Sequence, residues 1–178
     1  EGVLIRNAEA LERMEKVDTL VVDKTGTLTE GHPVVTAIVT APGQDEEQLL
    51  RLAAAVERAS EHPLAQAVVA AARLRSMALP EVSDFDSPTG RGALGAVEGQ
   101  RIVLGNASFL HDQGVATESF TAAAEQHRRD GATAIFVGID GRAAGIIAIA
   151  DPIKSTTSAA LAALQADGIR IVMLTGDN

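Results

Sequence analysis

The sequence contains no cysteine, tryptophan or tyrosine, and aromatic residues make up only 2% of its 178 positions. The absence of cysteine excludes disulfide bonds and thiolate metal sites and agrees with a reducing compartment. So few rings leave no platform on which nucleic-acid bases could stack. The net charge of −9 also disfavours binding to a phosphate backbone, so we expect no nucleic-acid partner.

Long hydrophobic runs are missing as well. The longest apolar segment, Gly145–Ala150, has the length of a strand and falls far short of the roughly 18–20 residues that a transmembrane helix needs. The sequence opens at Glu1 without a Met or a signal-peptide pattern and stops at Asn178 shortly after a predicted strand, so we expect a piece of a larger protein. The hydrophobic share of 46% is large enough to form a core.

The two ends of the chain share one pattern. Residues 19–22 and 169–174 are short β-branched apolar runs, which are typical of buried parallel strands. Helices are expected over residues 8–16 and 155–167, the second one capped by Ser155. Polar residues follow both strands, and ligands of open α/β sheets bind at such carboxyl ends.

The middle of the chain follows an antiparallel α+β pattern. Glu98-Gly99 and Asp140-Gly141 each separate two apolar runs, which predicts two β-hairpins. The expected elements are strands at 34–39, 93–97, 101–104, 134–139 and 142–150, and helices at 45–59, 63–72, 107–113 and 119–129. We therefore predict a split α/β domain, residues 1–32 and 151–178, into which residues 33–150 are inserted as a second domain.

The densest chemical signal is the string Asp23-Lys24-Thr25-Gly26-Thr27. An Asp at a strand end can attack a phosphoryl group if hydroxyls, backbone N–H groups and a cation hold the transferring oxygens. The two threonines and the glycine supply hydroxyls and a turn that can aim such donors. In a generic sequence, however, an Asp before a glycine turn forms only a turn, so this string alone leaves both interpretations open.

The full string resembles the phosphorylation signature of the P-type ATPases, and the similarity extends over essentially all 178 residues. Further segments resemble, in the same order, the motifs of the heavy-metal-transporting branch of that family. These segments are Ser60–Ala65, Gly90–Gly92, Gly105-Asn106, Asp151–Lys154 and Thr175–Asn178. The residues at positions 60–63, 151–154 and 171–174 are more similar to those of the copper(I) pumps than to those of the zinc and cadmium pumps, which is an analogy and not a mechanism.

The resemblance implies a haloacid-dehalogenase-type, Rossmann-like fold for the split domain, with a nucleotide-binding domain inserted in it, and ATP and Mg²⁺ as substrate and cofactor. The implied catalytic residues are Asp23, Lys24, Thr25, Gly26, Thr27, Lys154, Thr175, Gly176 and Asp177. The implied nucleotide-binding residues are Glu61, His62, Gly90, Gly92, Gly105 and Asn106. Magnesium would be held by Asp23 and by the backbone carbonyl of Thr25.

Two alternatives compete with this interpretation. Haloacid-dehalogenase phosphatases carry a second Asp two residues after the nucleophile, but that position holds Thr25, whose hydroxyl cannot act as a base near neutral pH. Residues 90–95 also spell G-x-G-x-x-G, the dinucleotide fingerprint, which requires a strand before it and a helix after it. Thr25 thus makes the phosphatase the less favoured alternative. A dinucleotide site is not expected, because residues 84–89 are mostly polar and a hairpin follows.

The resemblance finally implies a larger pump with membrane helices and an actuator domain, of which this chain is a cytoplasmic part at a bacterial plasma or inner membrane. The family carries a further magnesium-binding Asp and a phosphate-contacting Lys beyond Asn178. We therefore expect this chain to bind nucleotide but to phosphorylate itself poorly or not at all.

Overall fold

The computed structural model describes residues 15–174 together with Glu9, Glu12 and Arg13. Those three residues are helical, in agreement with the helix expected over residues 8–16. The other positions before residue 15, and the last four residues of the chain, lie outside the described residues.

Two compact units make up the described part of the chain. One combines the residues up to His32 with those from Pro152 onward, and the other is Pro33–Asp151. In chain order the described strands are β1 (Thr19–Asp23), β2 (Val34–Thr40), β3 (Val82–Asp86), β4 (Gly92–Val97), β5 (Gln100–Gly105), β6 (Thr133–Ile139), β7 (Arg142–Ala150) and β8 (Arg170–Leu174). The described α-helices outside the first 14 residues are α1 (Glu46–Glu57), α2 (Pro63–Leu74), α3 (Ala107–Asp112), α4 (Thr121–Arg129) and α5 (Thr157–Ala166). No helix within the described ranges is both long and apolar enough to cross a bilayer.

The first unit is built around the parallel pair β1 and β8. Thr19 lies opposite Arg170 and Asp23 lies opposite Leu174, so the carboxyl ends of the two strands coincide. Parallel strands need a crossover connection, and the chain enters β8 from helix α5. This arrangement leaves Asp23 at the strand end where α/β sheets bind their ligands.

The second unit is a six-stranded antiparallel sheet in the order β2-β7-β6-β5-β4-β3. Successive residues of a strand point to opposite faces, and in β6 Ile135 and Val137 join one hydrophobic cluster while Ala134 and Phe136 join the other. Helices α1 and α2 pack on the first cluster, and α3 and α4 pack on the second. Helices on both faces of one antiparallel sheet confirm the α+β fold class predicted for this part of the chain.

The two predicted hairpins are present. Strands β4 and β5 are joined by Glu98 and Gly99, and strands β6 and β7 by Asp140 and Gly141. All four residues have positive φ, between 48° and 80°, which is the geometry of a two-residue turn that follows the twist of the sheet.

Two local expectations are wrong. Helix α5 begins at Thr157 and its N-cap is Thr156, which makes no side-chain capping bond, so Ser155 does not cap it. The hydroxyl of Thr157 instead donates to the carbonyl oxygen of Leu28 at 2.7 Å, which fixes the start of the helix from a distant segment. Strand β3 also precedes the G-x-G-x-x-G string, where no strand was predicted, because its sequence is mostly polar and its pairing with β4 at the sheet edge is a long-range contact. Strand β4 and not a helix follows, so the dinucleotide requirement is still not met.

Candidate phosphorylation and nucleotide sites

Asp23 is exposed at the end of β1, and the wide turn Lys24–Leu28 follows it. The backbone of Thr25 is extended, with φ −78° and ψ 125°. Gly26 has φ +74°, a left-handed conformation that glycine adopts without steric cost. Because Thr25 and Thr27 are both exposed, their hydroxyl groups are accessible to a ligand at the strand end.

Hydrogen bonds from two segments hold this turn. The buried Thr29 accepts a hydrogen bond at its Oγ1 from Gly26 N at 3.0 Å and donates from the same atom to the carbonyl oxygen of Lys24 at 3.2 Å. The Nζ of Lys154 donates to the carbonyl oxygen of Gly26 at 2.8 Å. The fold thus brings Lys154 to the turn across 128 residues of sequence. Thr29 is a residue that the sequence analysis missed, since only the folded turn reveals its double contact.

Two oxygen donors at the strand end are of the type that magnesium prefers. Mg²⁺ prefers hard oxygen ligands and is commonly held by one or two carboxylates together with substrate phosphates, and the Asp23 carboxylate and the Thr25 carbonyl are such donors. Among the described residues, no group of three or more His, Cys, Asp or Glu side chains could hold a metal ion by itself. Three predicted catalytic residues, Thr175, Gly176 and Asp177, lie outside the described residues.

A cavity of about 780 Å³ opens in the second unit, within the size range of small-molecule sites. Its apolar wall includes Ala93, Leu104 and Ile135, which belong to the cluster under α1 and α2. The six predicted nucleotide-binding residues all line this cavity: Glu61, His62, Gly90, Gly92, Gly105 and Asn106. Residues that are up to 45 positions apart in the sequence therefore meet around one space.

Two of these residues also have structural roles. His62 is the N-cap of α2, and its Nδ1 accepts a hydrogen bond from Leu64 N at 3.1 Å. Asn106 is the N-cap of α3, and its Oδ1 accepts from Phe109 N at 2.8 Å. These hydrogen bonds fix the side-chain positions of His62 and Asn106 at the edge of the cavity.

Gly92 and Gly105 face each other across β4 and β5, directly against the ring of Phe109. A Cβ atom on Gly92 would lie 2.0 Å from the carbonyl oxygen of Leu104 and 2.7 Å from the Phe109 ring. A Cβ on Gly105 would lie 2.4 Å from the carbonyl oxygen of Arg91 and 2.8 Å from the same ring. The close approach of backbone atoms across the β4–β5 pair, together with the packing of Phe109, is therefore a sufficient reason for both glycines.

Glu57, the last residue of α1, is a cavity residue that the sequence analysis missed. Its side chain is buried, with 7% exposure, and burial raises the pKa of its carboxyl group from the ordinary 4.5 to about 7. A carboxyl group on an otherwise apolar wall is a candidate partner for the polar edge of a ligand. In the sequence, Glu57 lies five residues before His62 in a segment with helical periodicity and resembles an ordinary solvated glutamate. The sequence therefore carries no signal for its burial.

Replacing Glu57 with Gln is expected to change how the free energy of unfolding depends on pH. Between pH 4.5 and about 7 the unfolded chain releases the Glu57 proton while the folded chain retains it, so stability falls as pH rises, by about 3 kcal/mol in total. Glu57→Gln removes this loss and should exceed the parent in stability at pH 8 but not at pH 4. Urea denaturation of both proteins across this range measures the difference, with Glu61→Gln as the exposed control. Parallel pH profiles of the parent and Glu57→Gln would contradict the burial effect.

Comparisons with known proteins identify the relatives of this chain. The haloacid dehalogenase-like hydrolase family matches residues 17–178. The silver exporting P-type ATPase of Salmonella typhimurium is 55% identical over 177 residues, which are 99% of this chain and 22% of that protein. The copper-exporting P-type ATPase of Legionella pneumophila subsp. pneumophila is 50% identical over 177 residues, 99% of this chain and 24% of that protein.

The solved structure of a zinc-transporting PIB-type ATPase in its E2.Pi state superposes with a TM-score of 0.87 at 37% sequence identity, and covers 98% of this chain and 28% of that chain. The chain thus spans about a quarter of the length of the relatives it matches. The family match, the alignment with P-type ATPases along 99% of the chain and the structural superposition are consistent with one family assignment. The chain belongs to the haloacid dehalogenase-like hydrolases and, among them, to the heavy-metal-transporting P-type ATPases, an ATPase enzyme family.

Proposed function

We propose that the second unit binds ATP in its cavity and that Asp23 receives the γ-phosphoryl group, as part of an ATP-driven copper export pump. The observation that carries this proposal is the convergence of six separate predicted residues on one cavity of nucleotide size. The strand-end position of Asp23 supports the second half of the proposal, since its carboxylate is exposed beside a turn with accessible hydroxyls.

The cavity offers separate partners for the two ends of a nucleotide. Its apolar wall and the buried carboxyl of Glu57 suit a purine base, whose polar edge can exchange a hydrogen bond with that carboxyl. Glu61 and His62 would orient the nucleotide from the start of α2. The loop at Gly90, where an added Cβ atom would meet no other atom within 4 Å, would lie near the phosphates.

In the proposed reaction a carboxylate oxygen of Asp23 attacks the γ-phosphorus of ATP. A phosphorus–oxygen bond forms on Asp23 while the bond to the β,γ-bridging oxygen breaks, and ADP leaves with that electron pair. Thr25 and Thr27 would donate hydrogen bonds to the transferring oxygens, with Lys24 in the same turn, and Gly26 would give the turn its shape. Lys154, Thr175, Gly176 and Asp177 complete the proposed set. When bound, Mg²⁺ at Asp23 and the Thr25 carbonyl would offset negative charge between the carboxylate and the phosphate.

The residue at position 25 favours a pump over a phosphatase. Hydrolysis of an aspartyl-phosphate needs a general base, and the Thr25 hydroxyl cannot serve as one near neutral pH. The phosphorylated state should therefore persist, which a pump needs because the stored energy must drive a conformational change before hydrolysis. A haloacid-dehalogenase-type phosphatase remains the alternative and predicts turnover of simple phosphate esters by this chain.

The rest of the proposed pump would comprise membrane helices and an actuator domain, with this chain on the cytoplasmic side of the membrane. The ion is proposed as copper because the sequence motifs are most similar to the copper(I) pumps and a relative 50% identical is named copper-exporting. Silver is the second candidate, since the relative with 55% identity is named silver exporting.

Calorimetric titration of the chain with ATP tests the binding step. We expect ATP to bind and NADH not to bind, and His62→Ala to weaken ATP binding about tenfold, the size of one lost hydrogen bond with its packing. His111→Ala, at the end of α3, is the matched control and should bind like the parent. A folded chain that binds no ATP, or that binds NADH equally well, would refute the nucleotide site. Turnover of p-nitrophenyl phosphate would favour the phosphatase.

A further inference from the structure

Strand β3 contains an irregularity at the point where it borders the cavity. The pairing register of β3 with β4 shifts between Ser83 and Asp86, so β3 carries an extra residue there. Asp84 has φ +52°, a left-handed conformation that is uncommon for a residue other than glycine. Bulges of this kind re-aim side chains and are frequent beside active sites.

The bulge changes the face on which Phe85 lies. In a regular strand, residues three positions apart point to opposite faces, so Phe85 would point away from the core that Val82 joins. In the structure Val82 and Phe85 both pack against the cluster under α1 and α2. Phe85 is partly buried there and lines the cavity.

Phe85 differs from the other phenylalanines in its position beside the cavity. The chain has four phenylalanines and no tyrosine or tryptophan. The other three, Phe109, Phe120 and Phe136, are between 1% and 6% exposed and fill the second hydrophobic cluster, on the opposite face of the sheet. Among the phenylalanines that the structure describes, Phe85 is therefore the one that borders the cavity.

The charges around the cavity make an aromatic contact more important. Its lining residues with acidic or basic side chains are Glu57, Glu61, His62 and Arg91. The Arg91 guanidinium is ion-paired with Asp112 and lies over the ring of Phe109, with 5.4 Å between its Cζ and the ring centroid. Positive charge available to a polyphosphate is thus limited, and binding has to draw on contacts with the base.

We propose that Phe85, aimed into the cavity by the bulge at Asp84, is the surface on which the base of the bound nucleotide stacks. This inference rests on the proposed nucleotide site and assigns its base-recognition residue. An aromatic ring stacks with any base through its π-face, and such contacts account for about 5- to 100-fold in affinity. The contact acts on the base alone, so the ratio of ATP to adenosine affinity should not depend on it.

The test compares adenosine and ATP as probes for the parent chain and Phe85→Leu by equilibrium dialysis. Leu keeps an apolar side chain against the cluster but removes the ring. We expect both affinities to fall by the same factor, about fivefold or more. Phe120→Leu, in the second cluster, is the control and should keep the parent affinities. A folded Phe85→Leu chain that binds adenosine within about twofold of the parent would overturn the proposal. A parent chain that binds neither probe would instead refute the nucleotide site itself, and the stacking with it.

A second variant keeps the proposal testable if Phe85→Leu does not fold. The chain has no tryptophan or tyrosine, so Phe85→Trp introduces its sole indole and retains a stacking ring. Adenosine should quench the fluorescence of this variant in a saturable way. Leu74→Trp, at a position with 88% exposure outside the cavity, should show no such quenching. Equal responses of the two variants to adenosine would overturn the proposal.

Discussion

Replacing Asp23 with Asn in a complete pump is expected to abolish the phosphorylated intermediate. The amide of Asn is not a nucleophile toward phosphorus, and no other carboxylate lies on the Lys24–Leu28 turn that follows it. A suitable protein is the Legionella relative in which the 177 matching residues are exchanged for this sequence. Labelling with γ-³²P-ATP, followed by an acid quench, should give a hydroxylamine-sensitive phosphoprotein for the parent and none for Asp23→Asn.

The control for this experiment is Asp18→Asn, just before the opposite end of β1. This exchange removes the same charge from an exposed position and should leave the labelling intact. Label that persists in Asp23→Asn at the parent level would place the phosphorylated residue elsewhere and contradict the proposed chemistry. Equal loss of label in both variants would indicate that labelling depends on the negative charge beside β1 and not on Asp23 as the nucleophile.

Gly92→Ala is expected to lower the free energy of unfolding by about 3 kcal/mol or more, an overpacking effect at the upper end of its usual range. Two of the three atoms nearest to the added Cβ are backbone atoms, of Leu104 and Gly105, at 2.0 and 2.8 Å. Backbone atoms of a paired strand cannot move aside cheaply, so truncating Phe109 should not rescue the variant. Urea denaturation of the parent and the variant measures the loss.

Gly90→Ala separates the clash from the conformational effect of removing a glycine. Gly90 has φ +71°, which an alanine adopts at a cost of about 1–2 kcal/mol, but no atom lies within 4 Å of the added Cβ. Gly90→Ala should therefore be the milder change. If the two variants lose the same stability, the contact with Leu104 and Phe109 is not what requires glycine at position 92.

The sequence predicts the elements of this fold well where local signals are strong. Hairpins at Glu98-Gly99 and Asp140-Gly141 and the helix that starts at Pro63 follow from turn and cap chemistry within a few residues. Strand β3 does not follow from such signals, because its mostly polar sequence is held by long-range contacts, namely its pairing with β4 and the packing of Val82 and Phe85 on the cluster under α1 and α2. The start of α5 likewise depends on a hydrogen bond between Thr157 and Leu28, which no local pattern encodes.

The residues of the candidate sites likewise fall into two groups, those that the motifs identify and those that only the structure reveals. Motif resemblance identifies His62 and Gly90, which the fold then brings to one cavity. It does not identify Glu57, whose raised pKa arises from burial, or Phe85, whose position depends on a bulge. Both properties are created by tertiary packing, so a single sequence cannot reveal them. Motif resemblance also suggests ligand contact for Gly92 and Gly105, where the packing of Phe109 gives a structural reason.

A backbone NMR titration of the chain with a non-hydrolysable ATP analogue, with NADH as the control, is the most direct test of the proposed nucleotide site. We expect amide shifts that occur with the ATP analogue alone and cluster at the cavity, around Glu57, His62, Phe85 and Gly90. A folded chain whose amide signals do not shift at the cavity, or that responds to NADH at residues 90–95 as strongly as to the ATP analogue, would contradict it.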